Sequence, residues 1–232
     1  MVRQGLVRVD GRLAASAEDK LDPAAAIITV AGETISLCRF TYVMLHKPAG
    51  VLTATEDRKQ PTVLDLLPPE LRRIGLAPVG RLDKDTEGLL LLTNDGSFAN
   101  GIMHPSRHIS KTYRVTVRPD VTEEQLIALS GSMELDGKMT QPATVVVKTK
   151  EPGRVVLLMT IHEGKNRQIR RMCESVGLEV ARLRRISIGP LKLGMLKPGT
   201  YRDLTAEELR AIRNAMGTGE TAAPAKNKGR RR

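Results

Sequence analysis

Hydrophobic and polar positions divide the chain into short elements separated by Gly, Pro and Asp turns. Residues 5–36 predict two short strand pairs, with a tight hairpin turn at Asp10-Gly11 and a β-branched strand over residues 27–30. This segment is too short to build its own core, so residues 1–38 are predicted to be an N-terminal appendage. The main body is predicted to begin near Phe40 and to span residues 39–216.

The first half of the main body predicts buried strands and short helices. Apolar runs at 42–45 and 88–93, bounded by turn residues, predict two buried strands. A short helix is predicted over residues 62–67. A second helix is expected from the N-cap residue Asp95 to about Met103.

The second half alternates strand and helix patterns. Capping boxes, in which a Thr precedes a Gln or Glu by three residues, start two of its helices. A third helix has apolar residues at i, i+3, i+4 and i+7, which form its core face. The predicted strands are 112–118, 143–149, 154–162 and 179–188, and the predicted helices are 123–130, 166–176 and 205–215. Strands with interspersed helices and hairpin-length links predict an α+β fold with a largely antiparallel sheet.

Composition excludes several classes of protein. Cys38 and Cys173 are the two cysteines and lie far apart, which excludes a disulfide scaffold or a cysteine zinc site and favours a reducing compartment. His104 and His108 have helical spacing, but Pro105 lies between them and the chain has no HExxH pattern, so no metal site is predicted. No apolar run approaches the ~18 residues of a membrane span, and no phosphate-binding glycine loop suggests a nucleotide cofactor.

Charge is concentrated in two segments. The 232 residues carry 37 Lys and Arg against 26 Asp and Glu, a net charge of +11. Residues 161–202 contribute +7 and residues 217–232 contribute +4, so the rest of the chain sums to zero. The second segment lacks apolar periodicity and is predicted to be a disordered basic tail. With only 2% aromatic residues, the chain is predicted to hold nucleic acid by its phosphates, without a base-stacking platform.

Two polar stretches are candidates for chemistry. Residues 80–88, GRLDKDTEG, place three acids before a buried strand, which suits a catalytic carboxylate or, alternatively, a charged turn. Residues 162–172, HEGKNRQIRRM, place Lys165, Asn166 and Arg167 at the predicted start of a helix, where backbone N–H groups attract phosphate. The alternative for this second stretch is a solvated face.

Several motifs together resemble the bacterial ribosomal-RNA pseudouridine synthases of the RsuA/RluB type. The resemblance covers about residues 40–210, in the order and spacing of that family. The matching segments are LHKPAGVL (45–52), GRLDKDTEGLLLLTNDG (80–96), HPSRHISKTYRV (104–115), HEGKNRQIRRM (162–172) and LRRISIGPLKLG (183–194). Residues 3–35 resemble only the later strands of the family's small N-terminal RNA-binding domain, since the preceding helices are absent. The resemblance therefore implies a pseudouridine-synthase-like catalytic domain with a mostly antiparallel sheet and flanking helices, preceded by a partial RNA-binding module.

The resemblance also implies a role for individual residues. Asp83 stands at the position of the essential aspartate, and Arg170 at that of the basic residue that pairs with it and keeps it ionised. Tyr113 stands where a tyrosine contacts the target base, and Leu183 where an apolar side chain packs on it. The residues expected to bind RNA are Arg81, Lys165, Asn166, Arg167, Arg171, Arg184 and Arg185.

The implied activity is isomerisation of uridine to pseudouridine in ribosomal RNA. It needs no cofactor or metal, and a cytoplasmic monomer is expected. The carboxylate either attacks the sugar or removes a sugar proton to give a glycal, and the sequence leaves both open. Large-subunit RNA is slightly favoured over small-subunit RNA. Two alternatives are a non-catalytic rRNA-binding or ribosome-assembly factor on the same fold, and an unrelated glycoside enzyme that uses two carboxylates.

Overall fold

The computed structural model describes residues 1–18, 26–35 and 40–217, and the chain divides into two compact units, Met1–Phe40 and Thr41–Arg232. Cys38 and the predicted basic tail, apart from Gly217, lie outside the described residues. In the N-terminal unit, four strands form an antiparallel sheet in the order β2-β1-β3-β4. These strands are β1 (Val7–Val9), β2 (Arg12–Leu13), β3 (Ile28–Val30) and β4 (Glu33–Ile35).

The predicted hairpin turn at Asp10-Gly11 is confirmed. Both residues have positive φ, 49° and 81°, as a two-residue hairpin turn requires. The second strand pair turns at Ala31 and Gly32, which have φ values of 53° and 89°.

The larger unit is built on a nine-stranded sheet, whose main path is β11-β12-β8-β13-β7-β5-β15. Its first elements are β5 (Tyr42–Lys47), α1 (Pro69–Arg73), β6 (Ala77–Pro78), β7 (Glu87–Thr93), α2 (Gly96–Met103), β8 (Lys111–Arg118) and α3 (Glu123–Ser130). The hairpin of β9 (Glu134–Leu135) and β10 (Lys138–Met139) stands apart. The rest are β11 (Thr144–Glu151), β12 (Arg154–Ile161), α4 (Gln168–Ser175), β13 (Glu179–Ile188), β14 (Leu191–Lys192), β15 (Tyr201–Asp203) and α5 (Ala206–Ala215). Within the described residues every strand pair is antiparallel except β7 with β13, which confirms the α+β fold with a mostly antiparallel sheet.

Strand β7, at the centre of the sheet, has consecutive apolar residues instead of alternating apolar and polar ones. Leu90 and Leu92 belong to one buried cluster, which also takes in residues from α3 and α4. Leu89 and Leu91 belong to a second cluster, with residues from α2 and α5. Because both faces of β7 are covered, all four leucines are buried.

Most predicted elements are confirmed, and several short ones were not predicted. Helices α2 and α3 and strand β13 have the predicted bounds, and Asp95 caps α2 by accepting from the Phe98 N–H at 3.0 Å. The helix predicted over 62–67 is a single 3₁₀ turn, Val63–Leu66. The missed elements α1, β6, β9, β10, β14 and β15 have two to five residues each, too few to show a period.

Candidate active site

The loop that carries Asp83 is held by the end of strand β5. The Lys47 ammonium is buried and donates to the backbone carbonyls of Pro48, Lys84 and Thr86 at 3.0, 3.2 and 2.8 Å. The Gly50 N–H also donates to the Lys84 carbonyl at 2.8 Å. Loop residues 83–86 therefore have a fixed backbone before any ligand binds.

Burial makes Lys47 costly to keep charged. Desolvation lowers its pKa to about 8, and the nearby carboxylates of Asp85, Asp83 and Glu87 oppose that shift. Its three carbonyl acceptors offset part of the cost of burying the ammonium group. No sequence pattern indicates this role, because a lysine after an apolar run resembles the end of a strand.

The loop leads into β7 at Gly88, where β7 meets β13. Gly88 has φ of +113°, and a Cβ built there would lie 2.2 Å from the Arg185 carbonyl oxygen. Only glycine permits this contact. The parallel pairing of Gly88 with Arg185 thereby places the loop beside the middle of β13.

A cleft of about 660 Å³ opens beside this loop. That volume lies within the range of small-ligand sites, and aliphatic side chains supply much of the wall. Its lining includes Arg81, Leu82, Asp83, Thr86, Ile109, Lys111, Tyr113, Ile161, Lys165, Asn166, Arg167, Ile169, Leu183, Arg185 and Ile188. The cleft therefore combines an apolar wall with a set of cations and two carboxylates, Asp83 and Glu163. Glu163 Oε1 accepts from the Gln141 N–H at 3.0 Å and from the Gln168 side chain at 2.7 Å.

Tyr113 and Leu183 reach the cleft from neighbouring strands. Tyr113 on β8 is opposite Arg185 on β13, and Leu183 lies two residues earlier on the same strand. Both side chains are buried and belong to the cluster that includes α3 and α4. The strand ladder therefore fixes an aromatic and an aliphatic side chain in one wall.

Asp83 lies nearest to Arg167. The Asp83 side chain is 35% exposed, and its Oδ2 lies 3.7 Å from the Arg167 Nη1. The same Arg167 nitrogen lies 3.3 Å from the Asp85 Oδ1. One guanidinium thus lies between two carboxylates of the loop.

Arg170 contacts Asp85, whereas the resemblance implied that it pairs with Asp83. Its Nη2 lies 3.1 Å from the Asp85 Oδ2 and 3.2 Å from the Asp85 carbonyl oxygen. Its Nη1 donates to the Val180 carbonyl at 3.2 Å, so the guanidinium bridges the loop and strand β13. Arg170 is not among the residues that line the cleft.

The helix predicted from Asn166 begins later, at Gln168. The Gln168 side chain accepts from the Lys165 N–H at 3.0 Å and donates to Glu163 at 2.7 Å. Arg167, at the N-cap, has a left-handed φ of 45°. These local hydrogen bonds replace the first helical turn with a loop. Lys165, Asn166 and Arg167 therefore line the cleft from a loop.

Two residues predicted to bind RNA lie away from the cleft. Both guanidinium nitrogens of Arg171 donate to Asp136, in the turn between β9 and β10. Arg184 lies on the opposite face of the sheet from Leu183 and Arg185, since side chains alternate along β13, and it pairs with Glu87.

Lys111 is a cleft residue that the sequence did not single out. Burial, and then the charge of Arg185, lower its pKa. It stands two residues before Tyr113, so the period of β8 directs both side chains to the same face. That spacing was a signal available in the sequence.

Neither a metal cluster nor a membrane-spanning helix occurs among the described residues. In those ranges no group of three or more His, Cys, Asp or Glu side chains could hold a metal ion. Across the same part of the chain, no helix is long and apolar enough to cross a membrane.

Comparisons with known proteins agree on one family. The family model for RNA pseudouridylate synthase matches residues 41–175. An uncharacterized RNA pseudouridine synthase of Bacillus subtilis is 44% identical over 214 residues, which is 91% of this chain and 90% of the relative. A ribosomal large subunit pseudouridine synthase B of Bacillus subtilis is 37% identical over 225 residues, 96% of this chain and 91% of the relative.

A solved structure shares the fold over most of both chains. The crystal structure of a pseudouridylate synthase superposes with a TM-score of 0.70 at 32% identity and covers 91% of this chain and 90% of that chain.

Proposed function

The chain belongs to the RNA pseudouridine synthases, which are isomerases, and we propose that it converts uridine to pseudouridine at one or a few sites in ribosomal RNA, with Asp83 as the catalytic carboxylate. The observation that carries this assignment is the cleft itself. Asp83, Tyr113 and Leu183 line one cavity of about 660 Å³, and cationic side chains share its lining.

The reaction breaks the bond between C1′ of the ribose and N1 of uracil, turns the base and joins C1′ to C5. The C5 proton leaves and N1 gains a proton, so the product is an isomer. Asp83 either attacks C1′ or takes the C2′ proton to give a glycal, and its partial exposure on a fixed loop suits both steps.

Tyr113 and Leu183 would retain the detached uracil while it turns. A flat base can rest between an aromatic ring and an aliphatic side chain, and both residues are fixed by the β8–β13 ladder. The base must leave its stack to enter a cleft of this kind. The single ring of Tyr113 is enough to contact one base, so the reaction does not require a chain rich in aromatic residues.

Arg167 and Arg170 would act on the catalytic loop in different ways. Arg167 contacts Asp83 directly, so it stabilises the carboxylate and lies at the cleft. Arg170 contacts Asp85 through its carboxylate and its backbone carbonyl, so we assign it a positioning role on the loop. The cation nearest to the Asp83 carboxylate is therefore Arg167, whereas the resemblance implied Arg170.

Cationic residues at the cleft, together with the neutral Asn166, would hold the RNA backbone on either side of the target. Arg81, Lys165, Asn166, Arg167 and Arg185 all line the cleft. Arg185 is only 4% exposed and donates from Nε to the Leu89 carbonyl at 2.8 Å, so it belongs to the cleft wall and would face the target nucleotide rather than the flanking backbone. Arg171 lies away from the cleft and is paired with Asp136, so it would act only on RNA that extends beyond the cleft.

The target assignment draws on the relative named ribosomal large subunit pseudouridine synthase B, so we favour large-subunit over small-subunit rRNA. We propose that the protein works as a cytoplasmic monomer. Residues 1–38 would add a partial RNA-binding module, whose described part is the four-stranded sheet.

The test is to map pseudouridine in rRNA from cells that contain the gene, lack it, or carry Asp83→Asn in its place. We expect one or a few uridines, in large-subunit RNA, to remain unmodified in the second and third strains. An unchanged map in the deletion strain would overturn the rRNA assignment. Loss of the signal in the deletion strain with full recovery by Asp83→Asn would overturn the role of Asp83.

A further inference from the structure

The face of the sheet opposite the cleft carries a second group of basic residues. Side chains that alternate with the buried ones on β8, β12 and β13 surround a depression of about 100 Å³. Four arginines and one threonine line it, and we call the arginines the arginine cluster. They are Arg114, Arg154, Arg182 and Arg184, around Thr116.

The strand register brings these like charges together. Arg114 on β8 is directly opposite Arg184 on β13, and Thr116 is directly opposite Arg182. Like charges in opposed positions destabilise a sheet, and a neutral β-former such as threonine would fit these positions without that cost. Sheet stability therefore gives no reason for four guanidinium groups on this face.

Acidic side chains balance only part of the charge. Glu87 accepts from Arg182 at two 2.8 Å contacts and from Arg184 at 3.3 Å, and Arg154 pairs with Glu151 at 2.9 Å. Among the described residues Arg114 has no ion pair, and the buried Nε of Arg184 has no hydrogen-bond partner. Four cations face two carboxylates, and guanidinium groups in such a concave array suit phosphate.

The catalytic loop links this cluster to the cleft. Its three acids reach different surroundings, because residues 83–86 form a turn. Asp83 lines the cleft, Asp85 contacts Arg167 and Arg170, and Glu87 contacts the arginine cluster. Asp83 and Glu87 are four positions apart, a span of at most roughly 14 Å for an extended chain. A strand whose uridine occupies the cleft is therefore within reach of the cluster.

We propose that the arginine cluster binds backbone phosphates of the RNA that flanks the target uridine, as a second contact on the face of the sheet opposite the cleft. This inference rests on the proposed function for the identity of the nucleic acid. It gives Arg182, Arg184, Arg114 and Arg154 a common ligand, and it makes Glu87 the side chain that orients two of them while no phosphate is bound.

The test measures RNA affinity of the full chain against salt concentration. The double variant Arg114→Ala/Arg154→Ala removes two exposed cluster residues, and Arg73→Ala/Arg210→Ala removes two exposed arginines from α1 and α5 as a charge-matched control. Losing two phosphate contacts reduces the salt slope by about 1.4 for a single strand. Between 50 and 200 mM salt, wild-type affinity should therefore fall about sevenfold more than that of the cluster variant.

The length of the RNA separates the cluster from the cleft. A long RNA with both flanks should bind wild type and the control double variant more tightly than a short RNA that holds only the target loop. The cluster variant should lose most of that gain while binding the short RNA normally. Arg114→Lys/Arg154→Lys, which keeps the charges, should restore the salt slope.

Three results would overturn the proposal. One is a cluster variant with the salt slope of the control double variant. Another is an equal gain from flanking RNA in both variants. The third is a result with inorganic phosphate at millimolar concentration: it binds wild type and not the cluster variant, yet it does not change the RNA affinity of wild type. That result would show that the cluster binds a small anion and not RNA. Since each readout is binding, failure of wild type to form pseudouridine would refute the proposed function and leave this test intact.

Discussion

The two faces of the central sheet differ in where their charged side chains lie and in what those side chains contact. On the cleft side, Leu183 and Tyr113 build an apolar wall, and Arg185 is buried against the backbone. On the opposite side, Arg182 and Arg184 lie on an open surface and share one carboxylate, Glu87. The tetrapeptide Arg182-Leu183-Arg184-Arg185 supplies both faces, because successive residues of a strand point in opposite directions.

One short loop contacts charged residues on both faces of the sheet. Asp83, Asp85 and Glu87 are spaced by two residues. The first two both contact Arg167, whereas Glu87 contacts Arg182 and Arg184 on the opposite face. The loop backbone is fixed by Lys47 at one end and by the Gly88 contact at the other. Changes at these two residues should therefore affect both faces, and changes at Glu87 only one.

The largest structural effect is expected from Gly88→Ala. Its Cβ would overlap the Arg185 backbone, and φ of +113° disfavours any L side chain, so the free energy of unfolding should fall by at least about 3 kcal/mol. Gly75→Ala is the matched control, since φ there is +75° and nothing lies within 4 Å of the added atom. Denaturant unfolding should show a loss of only about 1 kcal/mol for the control. Equal losses would mean that the close contact of β7 with β13 is unimportant.

A smaller effect follows from the buried ammonium of Lys47. Its pKa is about 8 when folded and returns to 10.5 when unfolded, so between these values the unfolded chain binds more protons and stability rises with pH. The free-energy cost of burying the charged ammonium is fully present below pH 8. It falls above pH 8, because the folded protein then releases the Lys47 proton. From pH 8 to 9.5 the gain should be roughly 1.5 kcal/mol.

Denaturant unfolding at the two pH values checks this expectation. Lys47→Met should lose the pH-dependent gain, whereas Lys192→Met, at an exposed lysine, should keep it. The same slope in wild type and Lys47→Met would contradict the account of the buried ammonium.

The smallest effect is expected from Glu87→Gln, which changes only the open face. Hydrogen bonds from Arg182 hold the pKa of Glu87 below its ordinary value, so the side chain is charged at neutral pH. Neutralising it should release Arg182 and Arg184 for phosphate and raise RNA affinity by about threefold at low salt. Fluorescence anisotropy with a labelled RNA measures this change. Weaker binding would show that Glu87 is needed to shape the cluster rather than to balance it.

The sequence predicted the elements whose patterns are long or capped. The Leu89–Leu92 run predicted a central strand, and the Thr122–Gln125 capping box predicted α3 with its bounds. The start of α4 was wrong, because the side-chain hydrogen bonds of Gln168 stabilise a loop there. Such competition depends on the position of Glu163, which no periodic pattern reveals.

The candidate site was predictable in its residues and less so in its contacts. Residue types and motif order indicated Asp83, Tyr113 and Leu183, which the fold brings to one cleft. The partner of Arg170 and the burial of Lys47 depend on how the loop packs across the sheet, over sequence separations of up to 85 residues. The opposite faces of Arg184 and Arg185 followed from strand alternation, a signal that was present in the sequence.

Single-turnover formation of pseudouridine by Asp83→Asn and Asp85→Asn tests the central claim most directly. The two carboxylates are two residues apart, and both contact Arg167, but only Asp83 lines the cleft. We expect Asp83→Asn to lower the rate by at least about 10³-fold with unchanged RNA affinity, because the other carboxylate of the cleft, Glu163, is held by Gln141 and Gln168. Asp85→Asn should retain measurable turnover, within about tenfold to a hundredfold of wild type. Turnover by Asp83→Asn at the wild-type rate, or equal losses in the two variants, would contradict the assignment of Asp83 as the catalytic carboxylate.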